Sequence, residues 1–329
     1  MKCLFGEIII NQLRMKWWKC MKLMVDEKEY RMLNLPSGDL RISITNGCNM
    51  RCVYCHNEGQ QENAISFLAI EDIKYIVSET MKYGLKKIRI TGGEPLIHPE
   101  VIPILRMLKD EMGMKNVGIN TNGMMAEKLL LISREQLVNR VVVGMDYFDG
   151  LISKQSLIGV SSSRIKETAV NISNLGITVE IATVYDDNET DVISLVEWGL
   201  RNHITVKVIE KTISIEKTIS IERNNSPIEF DKLIVRVKNK FGLRVGITAD
   251  LQEYYLTNGQ TRIKFFQSHC NRKECDICKG LHMRISCDGK AKPCIQREDT
   301  AFDLLSNQFD INMKMAIANL GNGPGNAII

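Results

Sequence analysis

The chain has 329 residues, of which 44% are hydrophobic and 25% are charged, and its formal net charge is +4. This composition is typical of a globular protein, and the length allows one large domain with a smaller one beside it. The charge is too mild to indicate a nucleic-acid partner, and no apolar stretch is long enough to span a membrane. A modest excess of basic residues does suit a small anionic substrate.

Short β-branched stretches alternate with amphipathic ones from about residue 40, and this alternation predicts six β/α repeats. Six repeats imply an α/β fold with a parallel sheet, which right-handed crossovers curl towards a barrel. The predicted strands are 40–45, 87–90, 117–120, 141–145, 178–184 and 205–209, and the predicted helices are 70–82, 99–111, 127–133, 164–175, 190–203 and 227–239.

Three regions are expected along the chain: an N-terminal extension at 1–37, the barrel at 38–245 and a cysteine-rich module with a glycine-rich tail at 246–329. The extension lacks the apolar stretch and cleavage site of a secretory signal. Residues 211–216 are repeated without change at 217–222. The alternating isoleucines of this repeat are strand-like, so an inserted ribbon and a duplicated surface loop both stay open.

Three cysteines, Cys48, Cys52 and Cys55, form a C-x3-C-x2-C loop directly after the first predicted strand. Cysteine thiolates on short loops hold iron–sulfur clusters, and three ligands leave one iron of a four-iron cluster free to bind a small molecule. The ten cysteines are grouped mainly at 48–55 and 270–294. This grouping favours metal over disulfides and therefore a reducing, cytoplasmic compartment.

The second predicted strand leads into Thr91-Gly92-Gly93-Glu94-Pro95. The glycines let the backbone approach a ligand closely, and Glu94 can accept hydrogen bonds from an ammonium group. Alone, this segment could be no more than a turn. Both loops, however, follow the carboxyl ends of strands, where the chemistry of such barrels collects.

Together the two loops resemble those of the radical S-adenosylmethionine (radical SAM) enzymes, whose partial (β/α)6 TIM barrel also matches the six repeats. The resemblance implies a 4Fe–4S cluster on Cys48, Cys52 and Cys55 whose open iron binds SAM. Reductive cleavage of SAM would give a 5′-deoxyadenosyl radical that abstracts hydrogen from a substrate. The residues implied to bind SAM are Tyr54, Gly92, Gly93, Glu94, Pro95, Asn120 and Gly144.

A second cysteine group contains Cys275, Cys278 and Cys294. A closed zinc site needs four ligands, and Cys270 or Cys287 could complete one. The resemblance instead favours a second, auxiliary 4Fe–4S cluster on three cysteines with an open iron. The metal and the fourth ligand both stay open at this point.

Five segments carry a narrower resemblance: 40–45, 87–95, 120–123, 207–210 and 284–289. They resemble those of the molybdenum-cofactor GTP 3′,8-cyclases, and the similarity runs from about residue 38 to 297. It implies hydrogen abstraction from the ribose of GTP, with basic side chains on the triphosphate. Solvated charges beside the strands are the alternative reading of these side chains. The implied substrate-binding residues are Arg41, Lys87, Arg89, Lys207 and Arg284, with Lys87 and Arg89 also implied to be catalytic.

Several positions depart from the cyclase pattern: Glu180 replaces a lysine, Gly144 a serine and His282 an arginine. A bare Glu180 would repel a triphosphate at a cost on the order of a kcal/mol. The alternative is therefore a two-cluster radical SAM enzyme of a natural-product or peptide-modification pathway. In either case we expect an electron donor such as flavodoxin or ferredoxin, no nucleic-acid or membrane partner, and a chain that could form a homodimer.

Overall fold

The computed structural model describes residues 34–35, 38–52, 54–60, 64–149, 161–186, 188–212, 226–247, 254–268, 270, 275, 280, 282–297 and 299–321. Leu35–Ile329 belong to one compact unit. Most of the predicted N-terminal extension, most of the duplicated segment and Cys278 lie outside the described residues. No helix in the described part has the length and apolar character needed to cross a bilayer.

Twelve strands lie within the described residues. They are β1 (Asp39–Ser43), β2 (Lys87–Thr91), β3 (Val117–Thr121), β4 (Arg140–Gly144), β5 (Thr178–Tyr185), β6 (Thr205–Glu210), β7 (Arg244–Ile247), β8 (Tyr254–Thr257), β9 (Arg262–Phe266), β10 (Met283–Ile285), β11 (Lys290–Lys292) and β12 (Phe302–Asp303). All belong to one sheet in the order β12-β11-β10-β1-β2-β3-β4-β5-β6-β9-β8-β7. The strands from β10 through β1 to β6 and on to β9 run parallel.

The helices that cross between the strands follow the predicted pattern. They are α1 (Ile70–Met81), α2 (Val101–Arg106), α3 (Ala126–Arg134), α4 (Ser162–Asn174), α5 (Glu189–Asn202) and α6 (Ser226–Lys240), with α7 (Phe309–Ala318) near the end of the chain. A π-helical turn, Met107–Glu111, continues α2. The six predicted β/α repeats and the parallel, barrel-like sheet are therefore confirmed.

The C-terminal part of the chain extends the same sheet at both edges, which the sequence analysis did not predict. β9 pairs with β6, and β10 pairs with β1. Each then continues outward through antiparallel neighbours. β10 has only three residues, too few for a period of two to be recognised in the sequence.

Alternation along the strands separates an apolar face from a charged one. In β1, Leu40 and Ile42 are fully buried on the helix side. Between them Arg41 faces the other way, beside Arg89 of β2 and Arg284 of β10 in the strand register. We call this charged side the inner face of the sheet.

Candidate active site

The loops after β1 and β2 pack against each other backbone to backbone. Gly93 N donates to Thr45 O and Glu94 N donates to Gly47 O, each at 2.8 Å. A Cβ on Gly93 would lie 2.1 Å from Gly47 O, and one on Gly92 would lie 2.4 Å from Thr45 O. Both glycines are therefore required by the contact between the two loops, in addition to any approach of a ligand.

Gly93→Ala is expected to push the cysteine loop away, because the added methyl group would meet backbone that cannot rotate aside. We expect it to lower the free energy of unfolding by at least about 2 kcal/mol and to reduce the iron retained after reconstitution. Gly118→Ala is the control, since Gly118 has no positive φ and the nearest atom to its Cβ position, Arg140 O at 3.5 Å, is at ordinary van der Waals distance. Wild-type stability and iron content in the Gly93 variant would contradict this account.

Glu94 is the buried carboxylate that joins the loops after β2 and β3. Its Oε1 accepts from Leu96 N at 3.0 Å and from Thr121 Oγ1 at 2.7 Å, and its Oε2 accepts from Asn122 N at 2.7 Å. Burial raises the pKa of Glu94 to about 7, despite these donors. Because a carboxylate oxygen can accept two hydrogen bonds, Oε2 retains capacity for one further donor.

Asn122 connects this carboxylate to the cysteine loop. Its Nδ2 donates to Asn49 Oδ1 at 2.7 Å and to Cys48 Sγ at 3.8 Å. Asn120, the residue predicted from the sequence, lies within β3 and stays a prediction, whereas Asn122 just beyond the strand was not predicted. The signal was available, because side chains that follow a parallel strand meet at the carboxyl edge of the sheet.

The three cysteines predicted to hold the cluster lie on one short segment after β1. Cys48 and Cys52 are half-buried and Cys55 is exposed. Burial, reinforced by Asp146 and the two other thiols, raises the pKa of Cys52 to about 12. Nowhere in the described residues do three His, Cys, Asp or Glu side chains converge on a point that one ion could occupy. Three thiolates on one short loop are a donor set that a 4Fe–4S cluster with one open iron can use, each thiolate binding a different iron.

The other residues predicted to bind SAM lie around the two loops. Tyr54 is half-buried between Cys52 and Cys55. Pro95 is buried and opens a short 3-10 turn after Glu94. Gly144 ends β4 and is exposed, and a Cβ there would have Thr121 O as its near neighbour at 3.8 Å. These positions stay predictions, with space left beside Gly144.

Two of the predicted substrate-binding residues, Arg41 and Arg284, share one carboxylate on the inner face. Glu58 Oε1 lies 3.2 Å from Arg41 Nη1, and Glu58 Oε2 lies 3.5 Å from Arg284 Nε. Burial would raise the pKa of Glu58, but Arg41, His56 and Arg284 hold it below its ordinary value. Glu58 has a left-handed backbone with φ of 52°. Glu58 was not predicted from the sequence, since no local pattern places a loop carboxylate against two strands.

Arg89 and Lys87 of β2 differ in their surroundings. Arg89 Nη2 donates to Oδ2 of the buried Asp39. Burial lowers the pKa of Arg89, and the charges of Arg140 and Arg41 act in the same direction. Lys87 is exposed at the beginning of the strand.

The carboxylate of Glu180 on the inner face is paired with two cations. Its Oε2 accepts from Arg140 Nη2 at 2.8 Å and lies 3.5 Å from Lys264 Nζ. The predicted Lys207 lies nearby on β6, with its Nζ 4.7 Å from the centre of the Phe266 ring. The expected repulsion is thus compensated by two cations that the sequence analysis had not assigned.

His282 adds a neutral polar group to the inner face. Burial lowers its pKa well below the ordinary value, and Arg284, Arg41, Arg89 and Lys207 lower it further. Its Nε2 is buried and has no hydrogen-bond partner among the described residues. Cations outnumber carboxylates on the described inner face, which therefore suits an anionic ligand with a polar group near His282.

Of the predicted auxiliary ligands, Cys275 and Cys294 are half-buried, and Cys278 lies outside the described residues. Burial raises the pKa of Cys294, and the neighbouring Cys275 thiol raises it further. Cys287 is buried elsewhere, in the loop after β10.

Comparison with known proteins gives consistent results. Residues 42–199 match the model of the radical SAM superfamily. The probable GTP 3′,8-cyclase of Methanocaldococcus jannaschii is 31% identical over 278 residues, covering 81% of this chain and 88% of the relative. That of Sulfurisphaera tokodaii is 30% identical over 287 residues, covering 81% and 84%. The crystal structure of Streptococcus suis SuiB bound to S-adenosylmethionine superposes with a TM-score of 0.64 at 17% identity, covering 94% of this chain and 76% of SuiB.

Proposed function

The chain belongs to the radical SAM superfamily and, within it, to the family of the GTP 3′,8-cyclases, and from this we propose that it abstracts hydrogen from a small anionic nucleotide of the GTP type. Cys48, Cys52 and Cys55 would hold the 4Fe–4S cluster, and Glu94 would accept from the SAM ammonium group. When bound, these two cofactors supply the 5′-deoxyadenosyl radical. The protein supplies binding, orientation and charge.

The observation that carries the substrate class is the shared carboxylate between Arg41 and Arg284. The side chain of Glu58 is only 12% exposed, and two guanidinium groups face it. Guanidinium groups bind carboxylate and phosphate by the same planar donor geometry. A phosphate of the substrate could therefore take the place of the Glu58 carboxylate with the same donors.

The charges around Glu180 support the same proposal. The alternative, a substrate of a natural-product or peptide-modification pathway, was motivated by the expected repulsion between Glu180 and a triphosphate. Arg140 and Lys264 both pair with Oε2 of Glu180, so this repulsion is reduced and the reason for the alternative is weaker. Both cations lie on the inner face, and together they leave one positive charge in excess of Glu180.

An anaerobic assay tests the proposal. The reconstituted, reduced enzyme is incubated with SAM alone, with SAM and GTP, and with SAM and ATP as a triphosphate control that differs in the base. We expect 5′-deoxyadenosine to increase with GTP and to be accompanied by a cyclised nucleotide. If the amount of 5′-deoxyadenosine did not change on addition of GTP, the radical SAM chemistry would stand, but GTP would be refuted as the substrate.

We also propose an electron donor, a cellular compartment and a second cluster for the enzyme. Cluster reduction needs a low-potential donor such as flavodoxin or ferredoxin, and thiolate-held clusters of this kind suit a reducing cytoplasm. A second 4Fe–4S cluster on the auxiliary cysteines is also part of the proposal. Its expected ligands are Cys275, Cys278 and Cys294.

A further inference from the structure

The contacts that hold Glu58 on the inner face are long for ion pairs between these groups. Its Oε1 lies 3.2 Å from Arg41 Nη1. Its Oε2 lies 3.4 Å from the same nitrogen and 3.5 Å from Arg284 Nε. Hydrogen bonds between guanidinium and carboxylate groups are typically about 2.7–2.9 Å long. On the same face Arg140 reaches Glu180 at 2.8 Å, so the fit of Glu58 to its two arginines is poor by comparison.

The two guanidinium groups keep donors that Glu58 does not use. Arg41 Nε and Arg284 Nε are both buried, and neither has a hydrogen-bond partner among the described residues. A buried donor without a partner is unfavourable. A carboxylate has two oxygens, whereas a terminal phosphate presents three strong acceptor oxygens. The same pair of arginines therefore suits a phosphate better than it suits the carboxylate that lies there.

The loop that carries Glu58 has an unfavourable backbone. Asn57 and Glu58 both lie in the left-handed region, with φ of 44° and 52°. Residues other than glycine adopt this region at a cost, which is smaller for Asn than for Glu. Asn57 Oδ1 is also buried without a hydrogen-bond partner among the described residues. Attraction to the two arginines offsets these costs, and release of Glu58 from them would let the loop relax.

We propose that Glu58 is a specificity-determining residue, which holds the place of a substrate phosphate between Arg41 and Arg284 and is displaced when the substrate binds. The inference rests on the proposed function and defines its anion site. Displacement costs the same free energy for every anion. An anion that also contacts a neighbouring cation, such as Arg89 beside Arg41 in the strand register, recovers that cost. The site therefore selects polyphosphates over single phosphates and carboxylates.

Binding of inorganic tripolyphosphate and of inorganic phosphate tests this role without SAM or GTP. The reconstituted wild-type protein and Glu58→Gln are compared by anaerobic titration calorimetry, with iron content measured before and after. Glu58→Gln keeps the shape of the side chain and removes its charge. We expect the variant to bind tripolyphosphate about tenfold more tightly than wild type. Inorganic phosphate should bind the variant measurably and the wild type too weakly to measure.

Two further variants separate displacement from a general change in charge. Arg41→Ala, added to Glu58→Gln, should abolish the gain, because the gain depends on a released arginine. An effect of net charge alone would survive that second substitution. Glu135→Gln removes a carboxylate that pairs with Arg106 at the exposed surface, and it should leave both affinities at their wild-type values.

Equal, weaker or undetectable binding of tripolyphosphate by Glu58→Gln would overturn the proposal, as would a gain that persists without Arg41. Weaker binding would mean that Glu58 orients the arginines for the ligand. If Glu58→Gln does not retain iron, Glu58→Asp replaces it with the same expected gain, since its carboxylate reaches one methylene less far. Absence of GTP turnover would refute the nucleotide and leave these affinities standing, and the reverse also holds.

Discussion

Cys52→Ala is expected to reduce SAM cleavage to background, a loss of at least about a thousandfold. The half-buried Cys52 lies between Cys48 and Cys55 on one loop, and the remaining two thiols cannot hold the cluster with one iron open to SAM. The measurement is 5′-deoxyadenosine formed by the reduced protein, together with iron content. Both should fall together.

Cys287→Ala provides the matched control for this variant. Cys287 is also a cysteine of low exposure, at 8%, but its contacts place it outside the three-cysteine loop. We expect it to keep SAM cleavage close to wild type. Full 5′-deoxyadenosine production by Cys52→Ala would remove the radical SAM mechanism for this chain.

Arg284→Ala is expected to reduce product formation about a hundredfold. SAM should still be cleaved, but without conversion of the substrate. Arg284 pairs with Glu58, and its charge reaches His282 and the auxiliary thiols, so it borders the substrate side of the site. It makes no described contact with the loop after β2. The quantity to measure is product formed per 5′-deoxyadenosine.

The control for Arg284→Ala is Arg106→Ala, which removes an exposed ion pair with Glu135 at 2.7 Å on the helix side. Exposed pairs of this kind contribute little, so its coupling ratio should not change. If Arg284→Ala lowered 5′-deoxyadenosine as strongly as product, Arg284 would serve SAM chemistry or cluster retention and not the substrate.

The parts of the site that could be predicted are those whose signal is local. The three cysteines and the segment from Gly92 to Pro95 are each contiguous, and each follows a strand with a clear alternating pattern. Their spacing therefore carries both the chemistry and its position at the carboxyl edge of the sheet. The strands and helices of the six repeats are predicted for the same reason.

The parts that could not be predicted depend on residues that are distant in sequence. Glu180, Arg140 and Lys264 lie on three strands, and only the sheet order brings their charges together. Glu58 reaches Arg41 and Arg284 from a loop with left-handed backbone, which its sequence does not signal. The sequence shows whether each of these residues is acidic or basic, but it does not show which residue each one pairs with.

The pairing of β1 with β10 also has a consequence for how the chain reaches its native state. Leu40 lies opposite Met283, so one edge of the first strand stays uncovered until nearly the whole barrel has been synthesised. Contacts of such high sequence separation form slowly, and an uncovered strand edge invites association with other chains. The first strand therefore gains this neighbour only after β10 has been synthesised, and we expect its open edge to be the part of the nascent chain most prone to association.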